Sequence, residues 1–345
     1  MLIKKLSTTA LIIGSMTTFA QAREHIEIVG SSTVFPFATV VAETFGKKTG
    51  MPTPKIESTG SGGGMKLFCK GDGIDTPDIT NASRRIKETE FNKCHRNGVT
   101  DITEVLVGFD GIAIANSKAG PNYNFTLREV YLALAHQVPE NGTGPKLIDN
   151  PYTHWNEINK NLPATKIKVL GPPPTSGTRD ALQELAVEGG CKTFDFMKAM
   201  KKSNKKQYKK LCRTIREDGH FVEMGENDNL IIQKLVNDPN TLGIFGFSFL
   251  DQNAEKVKGS KINGNDITFE NIAEGLYPVS RPLYFYVKNS HRGKVRGMDE
   301  FIKEFVDEDT FGEEGYLVDK GLIPSPEEKR EKYSYNAINS VKLKL

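Results

Sequence analysis

The chain has 345 residues, 46 basic and 43 acidic side chains and a formal charge of +3. So even a balance excludes a general affinity for nucleic acid, which needs a concentrated basic surface. The length exceeds what one hydrophobic core usually organises, so two domains are expected.

The first element is a leader. Lys4 and Lys5 precede an apolar stretch around Leu11-Ile12-Ile13, and Ala20-Gln21-Ala22 offers a small-residue cleavage site. Residues 1–22 therefore read as a secretory signal peptide, whose apolar part is far short of the roughly 20 residues of a spanning helix. No cysteine follows the cleavage site, which argues against a lipid anchor, and the periplasm is the expected location. Without the leader, 44 basic side chains face 43 acidic ones. All four cysteines lie beyond it, and their order in an oxidising compartment suggests two local bridges, Cys69 with Cys94 and Cys191 with Cys212.

A pattern then recurs four times: a short β-type run, a turn rich in Ser, Thr and Gly, and a helix-type run. Such alternation predicts an α/β architecture. The first unit joins Ile26-Glu27-Ile28-Val29 to Gly30-Ser31-Ser32-Thr33, followed by Val34, Phe37, Val41 and Phe45 at helical spacing, with Pro36 in the first turn and Gly50 past the end. In the second, Lys55-Ile56-Glu57 enters Ser58-Thr59-Gly60-Ser61-Gly62-Gly63-Gly64 before Met65, Leu67 and Phe68. The third runs from Asp78-Ile79-Thr80-Asn81 to Ala82-Ser83-Arg84-Arg85 and a charged helix. In the fourth, Ile167-Lys168-Val169-Leu170 leads through Pro172 to Pro174 into Thr175-Ser176-Gly177-Thr178-Arg179, then Ala181, Leu182 and Leu185. The basic run Lys198 to Lys210 reads as a solvated helix face. Val105 to Asn116 and Leu283 to Val287 read as strands crossing between the domains, so that the C-terminal tail completes the N-terminal one.

The turns carry the chemistry. A helix N-terminus leaves up to four backbone N–H groups without intrahelical partners and attracts anions. Ser and Thr hydroxyls add donors without net charge, and glycines such as Gly60 and Gly177 let a ligand approach the backbone. One such turn alone is an ordinary helix cap, but four in one chain point to a shared anion site. Arginine suits tetrahedral oxyanions because its planar fork donates two parallel hydrogen bonds; Arg84 and Arg179 are the candidates, with Arg85 a solvent-facing ion-pair partner. Enzyme and metal motifs are missing. Thr59 and Pro174 stand where G-x-S-x-G needs its first glycine, the six histidines form no H-x-x-x-H pair, and no G-x-x-x-x-G-K-[ST] occurs.

The segments Gly30 to Pro36, Ser58 to Gly64, Asp78 to Arg84, Ser176 to Arg179 and Tyr277-Pro278-Val279-Ser280-Arg281-Pro282-Leu283 resemble, in this order, the substrate-binding proteins of the phosphate-specific ABC transporters. The resemblance implies the type II periplasmic-binding-protein fold, α/β in two lobes with hinge crossovers. Lobe 1 is expected over 23–109, completed by 283–345, and lobe 2 over 110–282. It implies a carrier and not an enzyme, without cofactor or metal, whose partners are inorganic phosphate and an inner-membrane ABC permease, and which is a monomer. Carried over residue by residue, the anion is held by Thr33, Val34, Ser61, Ser176, Gly177 and Thr178, with Ser32 assisting Thr33. One departure stands out. The best-known members end the third turn in an aspartate and place an arginine before the Ser-Gly-Thr turn, whereas here Arg84 stands in the first place and Arg179 follows the turn. Hydrogen phosphate has a proton to donate and sulfate has none, so a buried carboxylate would separate them. Asp110, at the expected crossover, is the candidate acceptor, its other reading being a turn residue or an ion-pair partner orienting Arg84 or Arg179. Two rival readings remain: a carrier of sulfate, molybdate or another oxyanion, and an exported phosphatase using the same cradle.

Overall fold

The computed structural model describes residues 23–225 and 228–345. The leader expected over residues 1–22 lies outside the described residues.

Nine strands form one curled sheet. Three short parallel strands open it: β1 (Glu27–Gly30) between β2 (Lys55–Ser58) and β3 (Ile79–Ala82). Next comes β4 (Ile102–Ser117), which at 16 residues is long enough to serve two halves of the sheet. The far half contains β5 (Val169–Gly171), β6 (Phe221–Glu223), β7 (Leu242–Gly246) and β8 (Val257–Gly259). Here β7 and β8 pair antiparallel with the last residues of β4, while β5 lies parallel between β7 and β6. Finally β9 (Ser280–Lys288) runs antiparallel between β3 and β4, placing Arg281 opposite Asp110. Both expected crossing strands thus exist, each longer than its sequence pattern indicated.

Helices coat each half. In α1 (Phe35–Thr49) the buried residues Phe37, Ala38, Val41, Ala42 and Phe45 recur at three and four, as a one-sided helix requires. Gly50 ends it in a left-handed conformation at φ 68° that costs glycine little. This face packs on Val105, Val107, Leu283 and Phe285 and on Phe301 and Phe305 from the C-terminal tail. Each fully buried side chain of this size contributes about 1.5–3 kcal/mol, so the tail residues and α1 stabilise one shared core. A second core gathers Tyr131, Leu182 and Tyr208 and runs on continuously to Met65, Phe68 and Tyr286, with Tyr123 stacked on Phe125 and Trp155 tilted against Phe125.

Both expected disulfides are present, Cys69–Cys94 in the first lobe and Cys191–Cys212 in the second. Among the described residues no helix is long and apolar enough to cross a membrane.

Candidate functional site

The carboxyl ends of the strands from both lobes face one cleft, and the turns that follow them build its walls. On the first lobe, Ser31 caps the turn into α1: its Oγ accepts from the N–H groups of Thr33 (3.2 Å) and Val34 (3.4 Å). The next helix, α2 (Ser61–Phe68), docks closely because a Cβ on Gly64 would lie 2.5 Å from the Cα of Gly30. Two glycines in contact therefore bring the start of α2 to the end of β1 and β3. There the Oγ of Ser61 accepts from the N–H of Ser83 (3.0 Å) and meets the Ser83 hydroxyl (3.1 Å).

The second lobe supplies the facing wall. Ser176 caps α3 (Gly177–Ala181), its Oγ accepting from the N–H of Thr178. The helical run continues through a wider π turn, Leu182–Val187, into Glu188–Cys191. Gly177 lies so near the first lobe that a Cβ there would stand 3.4 Å from the Cα of Thr33. Ser32 reaches across and donates to Asp180 (2.7 Å).

Arg281 is the hub of the cleft. It is 5% exposed, rises from β9 at the crossing, and donates to the hydroxyl of Thr33, to Ser83 (3.4 Å), to Asp110 (3.3 Å) and to Glu184 (3.3 Å). A guanidinium buried this deeply needs such partners to offset its lost hydration. Burial pushes the Asp110 carboxyl above its ordinary range, and the adjacent charge of Arg281 pulls against that rise.

The residues singled out from the sequence do not all share one cavity. Thr33, Asp110, Ser176, Gly177 and Thr178 line a cavity of about 330 Å³. Ser61 and Arg84 line a larger one of about 840 Å³, together with Ser83 and Arg281. Ser32 lines both, and its bond to Asp180 with the contact between Arg281 and Thr33 forms the partition.

Five expectations need correction or refinement. Arg179 points away from the cleft: its guanidinium lies 4.3 Å over the Phe221 ring, donates to the Pro172 carbonyl and pairs with Glu223 at 3.2 Å. The N–H of Val34 is taken by Ser31, and the Val34 side chain is fully buried. Arg84 reaches the larger cavity but holds Glu90 with both forks, at 2.7 and 2.9 Å. Asp110 pairs with Arg281 and with neither candidate arginine. Arg85, itself half exposed, does form an ion pair, with the buried Glu104. The basic run is more than a solvated face, since Lys201, Lys205 and Lys209 line the larger cavity.

Sequence reasoning missed Arg281, Ser83, Asp180 and Glu184. A signal existed for the first: an arginine between Ser280 and Pro282, entering a strand of otherwise apolar alternation, needs a buried partner. Among the described residues no group of three or more His, Cys, Asp or Glu could hold a metal ion. What the cleft gathers is hydroxyls, capped helix starts and one buried guanidinium.

Known proteins place this architecture. The chain is 29% identical over 280 residues to the protein SphX of Synechococcus elongatus, covering 79% of this chain and 71% of that one. It is 27% identical over 285 residues to the phosphate-binding protein PstS of Staphylococcus saprophyticus, covering 81% and 75%. Among solved structures it is similar to a possible phosphate binding protein from Planctomyces limnophilus, with 26% identity, a TM-score of 0.72 and coverage of 93% and 100%. The fold is the two-lobed type II arrangement, its halves joined by crossing strands. Since the model of a PBP superfamily domain matches residues 16–309, which span most of both lobes, the chain belongs to the PBP superfamily.

Proposed function

We propose that this protein captures inorganic phosphate between its lobes and delivers it to an ABC permease of the inner membrane. The observation that carries the reading is Arg281. It stands where the first, second and third hydroxyl-bearing turns of lobe 1 converge and faces lobe 2 through Glu184. An oxyanion entering beside it takes donors from Arg281, Ser61 and Ser83, with Ser32 at the partition; Thr33, Ser176, Gly177 and Thr178 line the neighbouring cavity and join this set when the Ser32–Asp180 bond opens. Charge-assisted hydrogen bonds contribute about 1.5–3 kcal/mol each, and micromolar binding needs about 8 kcal/mol net, so at least four such bonds near the upper end of that range are needed once association costs of about 4 kcal/mol or more are met. The relatives named for phosphate binding support the choice of ion.

The lobes divide in this reading at 109/110 and 282/283, where β4 and β9 cross, and these two strands form the hinge. Asp110 accepts the proton that hydrogen phosphate offers and sulfate lacks. The protein acts in the periplasm after loss of residues 1–22, as a monomer and without turnover. Calorimetric titration of the purified protein with phosphate and sulfate, alongside incubation with a chromogenic phosphoester, tests this. Expected are micromolar or tighter phosphate binding, sulfate binding weaker by about tenfold or more, and no hydrolysis. Preference for sulfate, or turnover of the ester, overturns it.

A further inference from the structure

The larger cavity is out of proportion to a five-atom ion. Its volume of about 840 Å³ falls among clefts that bury whole drug-sized ligands, about 300–1,000 Å³. Beyond Arg281 it is walled on the lobe 2 side by five cations, Lys192, Lys201, Lys205, Lys209 and Arg213.

This wall is constructed. Lys201 ends one helix, Asp195–Ser203, while Lys205, Lys209 and Arg213 belong to the next, Lys205–Arg213. The buried carboxylate of Glu188 gathers Arg213 (2.6 Å), Lys201 (3.2 Å), Lys192 (3.4 Å) and the Tyr208 hydroxyl (3.2 Å). The disulfide Cys191–Cys212 fixes the immediate chain neighbours of Lys192 and Arg213 to each other. Lys205 and Lys209, by contrast, are exposed, and no ion pair holds them among the described residues. The cations are thus anchored at the base and open at the rim.

The two walls meet through Glu184. One of its oxygens accepts from Arg213 at 2.9 Å and the other from Arg281 at 3.3 Å. Two guanidiniums one carboxylate apart present the spacing that a bridging dianion would need. Glu184 itself is nearly half exposed, so it can turn into solvent without an uncompensated burial cost.

We propose that the lobe 2 wall is a second anion subsite, which holds the distal phosphoryl group of a condensed inorganic phosphate whose proximal group sits against Arg281. It rests on the phosphate reading above. An inorganic chain fits better than a nucleotide because hydroxyls and charges dominate the cavity lining, whereas a nucleoside needs an apolar or aromatic seat. In this arrangement Glu184 is an internal competitor that the distal phosphoryl group displaces.

The test is competition calorimetry with orthophosphate and inorganic pyrophosphate, on the unaltered protein and on the double variant Lys205→Glu/Lys209→Glu. Both lysines are exposed, so the exchange leaves the cores intact. Pyrophosphate is expected to displace orthophosphate, and the double variant to weaken pyrophosphate roughly tenfold but orthophosphate only about twofold, since exposed charges act weakly beyond a Debye length. Failure of pyrophosphate to compete, or an equal loss for both anions, overturns the subsite and leaves the phosphate reading intact. If the unaltered protein binds neither anion, the phosphate reading itself falls.

Discussion

Around the larger cavity the two walls differ in polarity, although Arg84 and Lys87 also reach it from lobe 1 and Ser176, Gly177 and Thr178 of lobe 2 line the smaller cavity. Lobe 1 presents uncharged donors, Ser32, Thr33, Ser61 and Ser83, each held by backbone turns at the ends of parallel strands, with a single buried arginine among them. Lobe 2 presents long cations that a carboxylate and a disulfide hold at their base. Short donors on rigid turns read the shape and protonation of a ligand, because a misplacement of a few tenths of an ångström weakens a hydrogen bond. Mobile lysines read charge at a distance and tolerate many geometries. One wall selects, then, and the other attracts.

Breaking the selecting wall should cost most. Arg281→Gln keeps a polar side chain but removes the charge and the fork, and phosphate affinity measured by calorimetry should fall about a hundredfold or more, near 3 kcal/mol. Retained affinity would move the anion's main partner to another cation. Asp110→Asn comes next. It should narrow the preference for phosphate over sulfate by about tenfold, the cost of one unmatched donor or acceptor, and lower the melting temperature, because the buried Arg281 loses a charged partner. Unchanged discrimination would leave Asp110 as the positioning partner of Arg281 only. A different effect, on stability and not on affinity, belongs to the attracting wall and concerns pH. Burial pushes the Glu188 carboxyl up, but Arg213, Lys192 and Lys201 outweigh it and hold it at about 2, below the ordinary value of 4.5. A depressed carboxylate contributes stability above its unfolded value, and that stability is lost as pH falls from about 4.5 towards 2. Glu188→Gln should therefore be less stable than the unaltered protein at neutral pH, and the gap should close on acidification through that window.

Much of this was legible in the sequence, for reasons that also explain the rest. The alternation of apolar runs and Ser/Gly turns sets helix starts at strand ends locally, so Ser32, Thr33, Ser61 and Ser176 could be placed before any contact was known. Arg281 could not, because its partners Asp110, Thr33 and Glu184 lie 171, 248 and 97 residues away in the chain. Arg179 misled through proximity to Ser176: side chains on a helix diverge from one residue to the next, and this one found the Phe221 face. The basic run misled through its density. Asn204 divides it, its side chain capping the second helix by accepting from the N–H of Gln207, and that break turns some of the lysines inward to the cleft.

The antiparallel pairing of Ser280–Lys288 with Ile102–Gly111 has a consequence for how the chain reaches this state. The first lobe lacks a central strand and part of its core until the segment after residue 280 is available, so it cannot finish ahead of the second. Emergence in order from one end therefore does not mean assembly in that order: the earlier half must wait, with β3 and β4 unpaired at their edges, for a partner made last. Contacts of such long sequence separation form slowly, and an open strand edge in the interval invites aggregation. A chain of this topology has good reason to remain unassembled until nearly all of it is available for pairing.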